Sequence, residues 1–239
     1  ADRVVITSDN PRDETPSLIL AQILAGVAGH DEVDVIEDRR EAIVEAINGG
    51  TVTLTGNATI TGGTLNTASG GIIQTGSGNV QNIVGLTNNG TFNVVNNSAL
   101  YLNGTITNNG ALNVNSVGNW TDLRINGNVT LAGTGTTTIS SVSTNRILAA
   151  NPGDTLTIGA GQTLRGSGAI GALGGLNLVN QGTITANQSN AMIIAVAPTS
   201  TVTNAVGGLM QSNTNGTLNL SSAVLNSGTI AAHGGTVNA

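Results

Sequence analysis

The chain of 239 residues contains no cysteine and no lysine, its seven basic residues all being arginine. Without cysteine there are no disulfides, thiolate metal sites or thiol nucleophiles, and the redox compartment is left open. Without lysine there is no ammonium group for a phosphate site and no amine for a Schiff base. Phe92, Tyr101 and Trp120 are the only aromatic residues, so a core built on large rings is excluded. No apolar run approaches the roughly 20 residues of a membrane helix; the longest, Ala191 to Ala197, stops at Pro198. The core must therefore be made of Val, Ile, Leu and Ala. With 38% hydrophobic and 8% charged residues, the chain also lacks the low hydrophobicity and high charge of disordered segments.

Charge is scarce too, and it is confined to one end. Eleven of the 13 acids and four of the seven arginines precede Asn48, and beyond it only Asp122, Arg124, Arg146, Asp154 and Arg165 are charged. The first segment carries a net charge of -7 (four arginines, eleven acids) and the remainder +1 (three arginines, two acids). No basic surface for nucleic acid follows from this distribution. Two domains are expected, residues 1–48 and 49–239. The chain opens at Ala1 with neither a starting Met nor a charged-then-apolar leader, which points to a true start further upstream.

In the first segment, Arg3 to Thr7 is a short apolar run suited to a buried strand, and Asp9-Asn10-Pro11-Arg12 is a turn. Pro16 opens a helical pattern with Leu18, Ile19, Ile23 and Leu24 at three- and four-residue spacing, ended by Gly26 and Gly29. Val33 to Ile36 is a second strand and Arg39 to Ile47 a second helix, a β-α-β-α order typical of parallel-sheet domains. Residues 1–12, together with Ile36-Glu37-Asp38-Arg39 and Glu41-Ala42-Ile43, resemble the C-terminal domain of the UDP-N-acetylmuramoyl-tripeptide synthetases, the diaminopimelate-adding Mur ligases of peptidoglycan synthesis. The resemblance implies that the Asp9, Asn10 and Arg12 loop met an incoming amino acid, Asn10 and Arg12 facing its distal carboxylate. An arginine fork suits that carboxylate geometrically. The family's ATP-binding loop, magnesium ligands and carbamylated lysine belong to a central domain with no counterpart here, so ATP-dependent ligation by this chain is excluded.

At Thr51 the pattern changes. Thr51-Val52-Thr53-Leu54-Thr55 and Ala58-Thr59-Ile60-Thr61 alternate polar and apolar residues at period two, the mark of half-buried strands, and Gly or Asn keeps each strand short. Leu86-Thr87-Asn88-Asn89-Gly90-Thr91-Phe92-Asn93-Val94 returns 20 residues later as Ile106-Thr107-Asn108-Asn109-Gly110-Ala111-Leu112-Asn113-Val114. Weaker copies surround Asn180, Asn204 and Asn226. A period of roughly 20 to 25 residues is that of a solenoid, in which coils bury their apolar side chains only by stacking. The repeated Asn is expected to bond to its copy one coil away, and the adjacent Gly to supply a positive φ at the corner. This region resembles the right-handed β-helix repeats of bacterial adhesin-like surface proteins, including autotransporter passengers.

Few constellations suggest chemistry. Gly166-Ser167-Gly168-Ala169-Ile170-Gly171 matches a dinucleotide-binding pattern, but no helix follows and no acid occurs after Asp154, so it reads as a solenoid corner. Asp122 and Asp154 are the only candidate carboxylate pair. Trp120, Asp122 and Arg124 share parity and should point the same way, opposite to Leu123 and Ile125, as an ion pair beside an exposed ring or a sugar-stacking platform. Thr51, Thr53, Thr55, Thr59 and Thr61 would form an ice-binding ladder only if they lined one face. His30 and His233 read as loop residues.

The reading is a mostly β protein: a right-handed parallel β-helix with a short N-terminal β-α-β-α unit as cap. It implies no catalytic residue, cofactor or metal, and a structural or adhesive role at the cell surface or outside it. The expected partner is a surface or carbohydrate ligand, with self-association through the solenoid ends, no nucleic acid and no membrane span. The alternative is a fragment of the diaminopimelate-adding ligase, cytoplasmic if that segment defines the protein. The join near Asn48 is then either a natural fusion or two unrelated reading frames.

Overall fold

Alternating polar and aliphatic residues, interrupted every few positions by Gly or Asn, produce short strands that can bury one face only by stacking on copies of themselves. The computed structural model describes residues 4–6, 15–26, 33–37, 50–67, 70–171 and 174–239. The chain divides into two compact units, residues 1–52 with 66–72 and residues 53–65 with 73–239.

The first unit contains a βαβ element, β1 (Val4–Ile6), α1 (Pro16–Gly26) and β2 (Val33–Val35), and the first residues of the strand Thr51–Leu54, which continues into the second. β1 and β2 are parallel, with Val4 opposite Val33 and Ile6 opposite Val35. Pro16 begins the helix, where its missing N–H costs nothing and its fixed φ suits the first turn. Leu20 is buried, while Leu18, Ile23 and Leu24, part of the stripe expected to face the core, are 64%, 42% and 43% exposed. A sheet of two described strands is too narrow to cover that stripe. The Asp9–Arg12 turn and the second helix over 39–47 lie outside the described residues.

The larger unit is a parallel β-solenoid of three strands per coil. In one coil, Thr91–Val95 is followed by the strand Ala99–Asn108, which bends at Gly104 (φ 67°) and serves two faces. The first face is a nine-stranded sheet running from Thr51–Leu54 to Thr229–His233, which is eight stacking steps. The other two faces share a fifteen-stranded sheet, because Ala99–Asn108 and Thr121–Ala132 both pass through the corner between them. Every ladder pairing in the solenoid is parallel, including Ala111 on Thr91, 20 residues apart, and Thr163 on Thr136, 27 apart. Inward positions stack Phe92, Leu112, Thr137, Leu164, Ile184 and Met210 in one column, all at most 3% exposed. Each such aliphatic contributes about 1.5–3 kcal/mol by leaving water.

The repeated asparagines do bond to their copies. Asn88 Nδ2 donates to Asn108 Oδ1 at 2.8 Å, Asn180 to Asn204 at 2.8 Å, and Asn204 to Asn226 at 2.8 Å. The row is not continuous, because Asn180 is in register with Ile158, Leu131 and Ile106, whereas Asn108 stands two residues beyond Ile106. Gln162 reaches into the gap, its Nε2 donating to Asn108 O at 2.6 Å and Ala132 O at 2.8 Å. The interruption leaves the buried Asn180 Oδ1 without a partner.

The glycine expectation needs correction. Gly110, Gly182 and Gly228 do not have positive φ; a Cβ on each would overlap the carbonyl oxygen of Gly90, Gly159 or Gly208 in the neighbouring coil. The corner glycine permits a close approach between backbones, while left-handed conformations fall to other positions, including Asn97 (φ 63°) and Asn215 (φ 67°).

Gly110→Ala should therefore cost several kcal/mol, whereas Gly104→Ala, with open space around its Cβ, should cost only the roughly 1–2 kcal/mol of a left-handed alanine. Asn204→Ala should destabilise by about 1–3 kcal/mol and Asn109→Ala, at an exposed Asn109–Asn89 pair, by no more than about 0.5 kcal/mol. Urea unfolding of the four variants checks this ranking.

Candidate functional site

The coils between Thr91 and Ala149 contain an irregularity that builds a distinct surface. Val95 is in register with Asn115 and Ala99 with Asp122, so three residues in one coil are matched by six in the next. The longer connection, Ser116 to Thr121, is clamped from both sides. From the coil before it, Asn96 Oδ1 accepts from Val117 N (2.9 Å) and Asn119 N (3.1 Å). From the coil after it, the buried Asn145 accepts from Ser116 N through Oδ1 (3.0 Å), and the Thr144 hydroxyl lies 2.5 Å from Ser116 Oγ. Trp120 stands at the end of this clamped loop, 58% exposed.

Strand geometry then sets the neighbours. Leu123 and Ile125 point inward at 0% exposure, so Asp122 and Arg124 point outward. Register places Arg146 beside Asp122 and Tyr101 beside Arg124. Asp122 is buried between the two guanidiniums. Arg146 Nε donates to its Oδ1 at 2.6 Å and Arg146 Nη2 to its Oδ2 at 2.9 Å, while Arg124 donates through Nε (3.0 Å) and Nη2 (2.6 Å) to Oδ2. The guanidinium carbon of Arg146 lies 4.1 Å from the centre of the Trp120 ring, an attraction of about 0.5–1 kcal/mol at an exposed site. One carboxylate against two guanidiniums leaves one net positive charge. The surface can hold an anion beside a flat apolar ring.

Of the residues singled out from sequence, Asp122 and Arg124 pair on the strand Thr121–Ala132, whereas Trp120 precedes that strand and stacks with Arg146. Arg146 and Tyr101 were missed, because they reach the site from neighbouring coils at separations of 24 and 23 residues from their partners rather than at the 20-residue repeat. Asp154 is not paired with Asp122. It closes its own turn, accepting from Asn151 N at 2.7 Å, just before the strand Thr155–Ile158. The threonines proposed as a single ladder divide between faces: Thr51 and Thr53 lie on the first sheet, and Thr59 and Thr61 on the second.

Ser167 alone separates the strands Thr163–Gly166 and Gly168–Ile170, donating to Ser140 O at 3.0 Å, so the glycine-rich pattern forms a tight corner. His233 ends the strand Thr229–His233, and His30, Asp9, Asn10 and Arg12 lie outside the described residues. Among the described residues no group of three or more His, Cys, Asp or Glu could hold a metal ion, and no helix is long and apolar enough to cross a membrane. A void of about 10 Å³ between Phe92 and Asn108 is too small for an organic ligand.

Fold and surface together define a parallel β-solenoid repeat protein preceded by a small α/β segment. Likeness to characterised proteins lies in the N-terminal region, with enzymes named UDP-N-acetylmuramoyl-L-alanyl-D-glutamate--2,6-diaminopimelate ligase. The chain is 53% identical over 47 residues to that of Parasynechococcus marenigrum (strain WH8102), covering 20% of the chain and 9% of the ligase. It is 57% identical over 47 residues to that of Synechococcus elongatus (strain ATCC 33912 / PCC 7942 / FACHB-805), covering 20% and 10%. Against the ligase of Aquifex aeolicus (strain VF5) it is 48% identical over 48 residues, again covering 20% and 10%. The chain thus spans about a tenth of the length of these relatives. No protein-family profile and no solved structure matches it.

Arg146 is more buried than Arg124, their side chains being 16% and 29% exposed. Arg146→Gln should therefore destabilise more, by about 1–3 kcal/mol, than Arg124→Gln. Arg124→Gln should cost under about 1 kcal/mol, because solvent screens its pairing. Urea midpoints of the two variants check the order; the reverse order would remove Arg146 as the main anchor of Asp122.

Proposed function

We propose that the solenoid is a non-catalytic structural or adhesive segment of a bacterial surface or secreted protein. The observation that carries this reading is the division of chemistry across each strand. Aliphatics and paired amides close the interior, and polar side chains stand in registered outward rows on three faces, as in Thr136–Ile139, where Thr136 and Thr138 face outward. Such a stack offers extended flat surfaces rather than a deep cleft, which suits display and contact. The low charge and the phrase Asn-x-Gly-Thr support the same reading. Microspheres coated with the whole chain should resist detachment under flow from polysaccharide-coated glass better than uncoated ones. Equal detachment on every coating tested would sink the adhesive role.

The 47-residue similarity to ligases favours a second reading of the N-terminal segment, as a ligase-derived piece that retains an amino-acid-binding loop at Asp9, Asn10 and Arg12. In this reading the segment is of cytoplasmic origin and is fused to, or mis-joined with, an exported solenoid. Calorimetry with diaminopimelate should give heat of binding that Arg12→Ala abolishes; no heat from either form removes the retained function. Sequencing the source DNA across the codons for Glu45 to Leu54 separates a single intact frame from two joined ones.

A further inference from the structure

We propose that the surface of Trp120, Arg146, Arg124 and Tyr101 binds an acidic saccharide, a chain of uronic-acid sugars whose ring lies on Trp120 and whose carboxylate meets the two guanidiniums. The proposal rests on the adhesive reading above and names the ligand class for it.

The concentration of rare residues is the first argument. Beyond Asn48 the chain has five charged residues and three aromatics, and three of those charges and two of those rings converge on this one surface from three successive coils. Stacking does not require them. Along the same outward row as Asp122 and Arg146 stand Ala99 on one side and Ala169, Ile193 and Asn219 on the other, and those coils pair equally well.

Preorganisation is the second. Arg146 covers one side of the Trp120 ring at 4.1 Å, and the clamped loop fixes the backbone beneath it, yet the residue stays 58% exposed. A ring held in one orientation with an accessible side loses little conformational freedom when a sugar stacks on it. Tyr101, in register with Arg124 one coil away at about 4.8 Å spacing, adds a second ring on the Arg124 side of the surface.

Charge is the third. Both arginines use Nε and Nη2 on Asp122, and their Nη1 groups make no hydrogen bond to a described residue. With one positive charge in excess, the site favours an anion over a neutral sugar, and a planar carboxylate matches guanidinium donors. The flanking alanines Ala99 and Ala169 leave room beside the charges.

Trp120 is the only tryptophan, so its fluorescence reports on this site alone. The whole chain is titrated with oligogalacturonate and with the same oligomer fully methyl-esterified. The acid form should change Trp120 emission saturably, the ester should bind at least about tenfold more weakly, and Arg124→Gln should lose about tenfold for the acid form. The absence of a saturable change with the acid form, or equal affinity for acid and ester, overturns the proposal. In parallel, microspheres carrying wild type or Trp120→Ala are tested on immobilised oligogalacturonate, with circular dichroism confirming that the variant is folded. Retention lost with Trp120→Ala supports the site. Retention unchanged overturns the site and leaves the adhesive reading standing, whereas wild-type protein retained on no polysaccharide overturns both.

Discussion

The constraint on which the solenoid depends is that each strand bonds along its whole length to the strands of the coils before and after it, about 4.8 Å away. Any side chain therefore has neighbours at the same register position at nearly that distance. Aliphatics tolerate this inside, and amides exploit it because they carry a donor and an acceptor in one group. Like charges do not tolerate it, since directly opposed they repel. The near absence of charge beyond Asn48 follows from this. Where charges do stack in neighbouring coils they are opposite in sign, as Asp122 and Arg146 are.

The same constraint acts on the backbone at the corners. Gly110, Gly182 and Gly228 lie where successive coils turn so close together that a Cβ would overlap a carbonyl oxygen of the neighbouring coil. Coil length is free to change at these corners as long as the strands remain paired. The separation between stacked residues accordingly ranges from 19 to 27. The amide row shifts by two residues between Asn108 and Asn180, whose column holds Ile106, Leu131 and Ile158, and Gln162 supplies an amide between the two groups. Extra residues in another built the loop that carries Trp120.

Function is then a matter of what the outer rows display. Most display Thr, Asn and small residues, which serve solubility and contact without selectivity. The Trp120 surface differs because a corner insertion, an arginine from the next coil and a tyrosine from the coil before meet at one place. The N-terminal segment is built on other principles, a βαβ element with charged residues throughout. The similarity to diaminopimelate-adding ligases lies in this N-terminal region and covers 20% of the chain.

Much of the architecture was legible locally. Period-two alternation, short strands, a recurring Asn phrase and the shared parity of Asp122 and Arg124 all follow from backbone geometry, which repeats every two residues whatever lies elsewhere in the chain. The role of the corner glycines, the division of Thr51 and Thr53 from Thr59 and Thr61, and the exposure of the apolar stripe on α1 were not legible, because each depends on what packs opposite. Arg146 is the clearest case. Its place beside Trp120 depends on how many residues the intervening corners hold, and no local pattern counts them. The sequence by itself determined that the chain would stack; only the tertiary structure decided which residues meet across the stack, because register is set by pairing between coils and not within them.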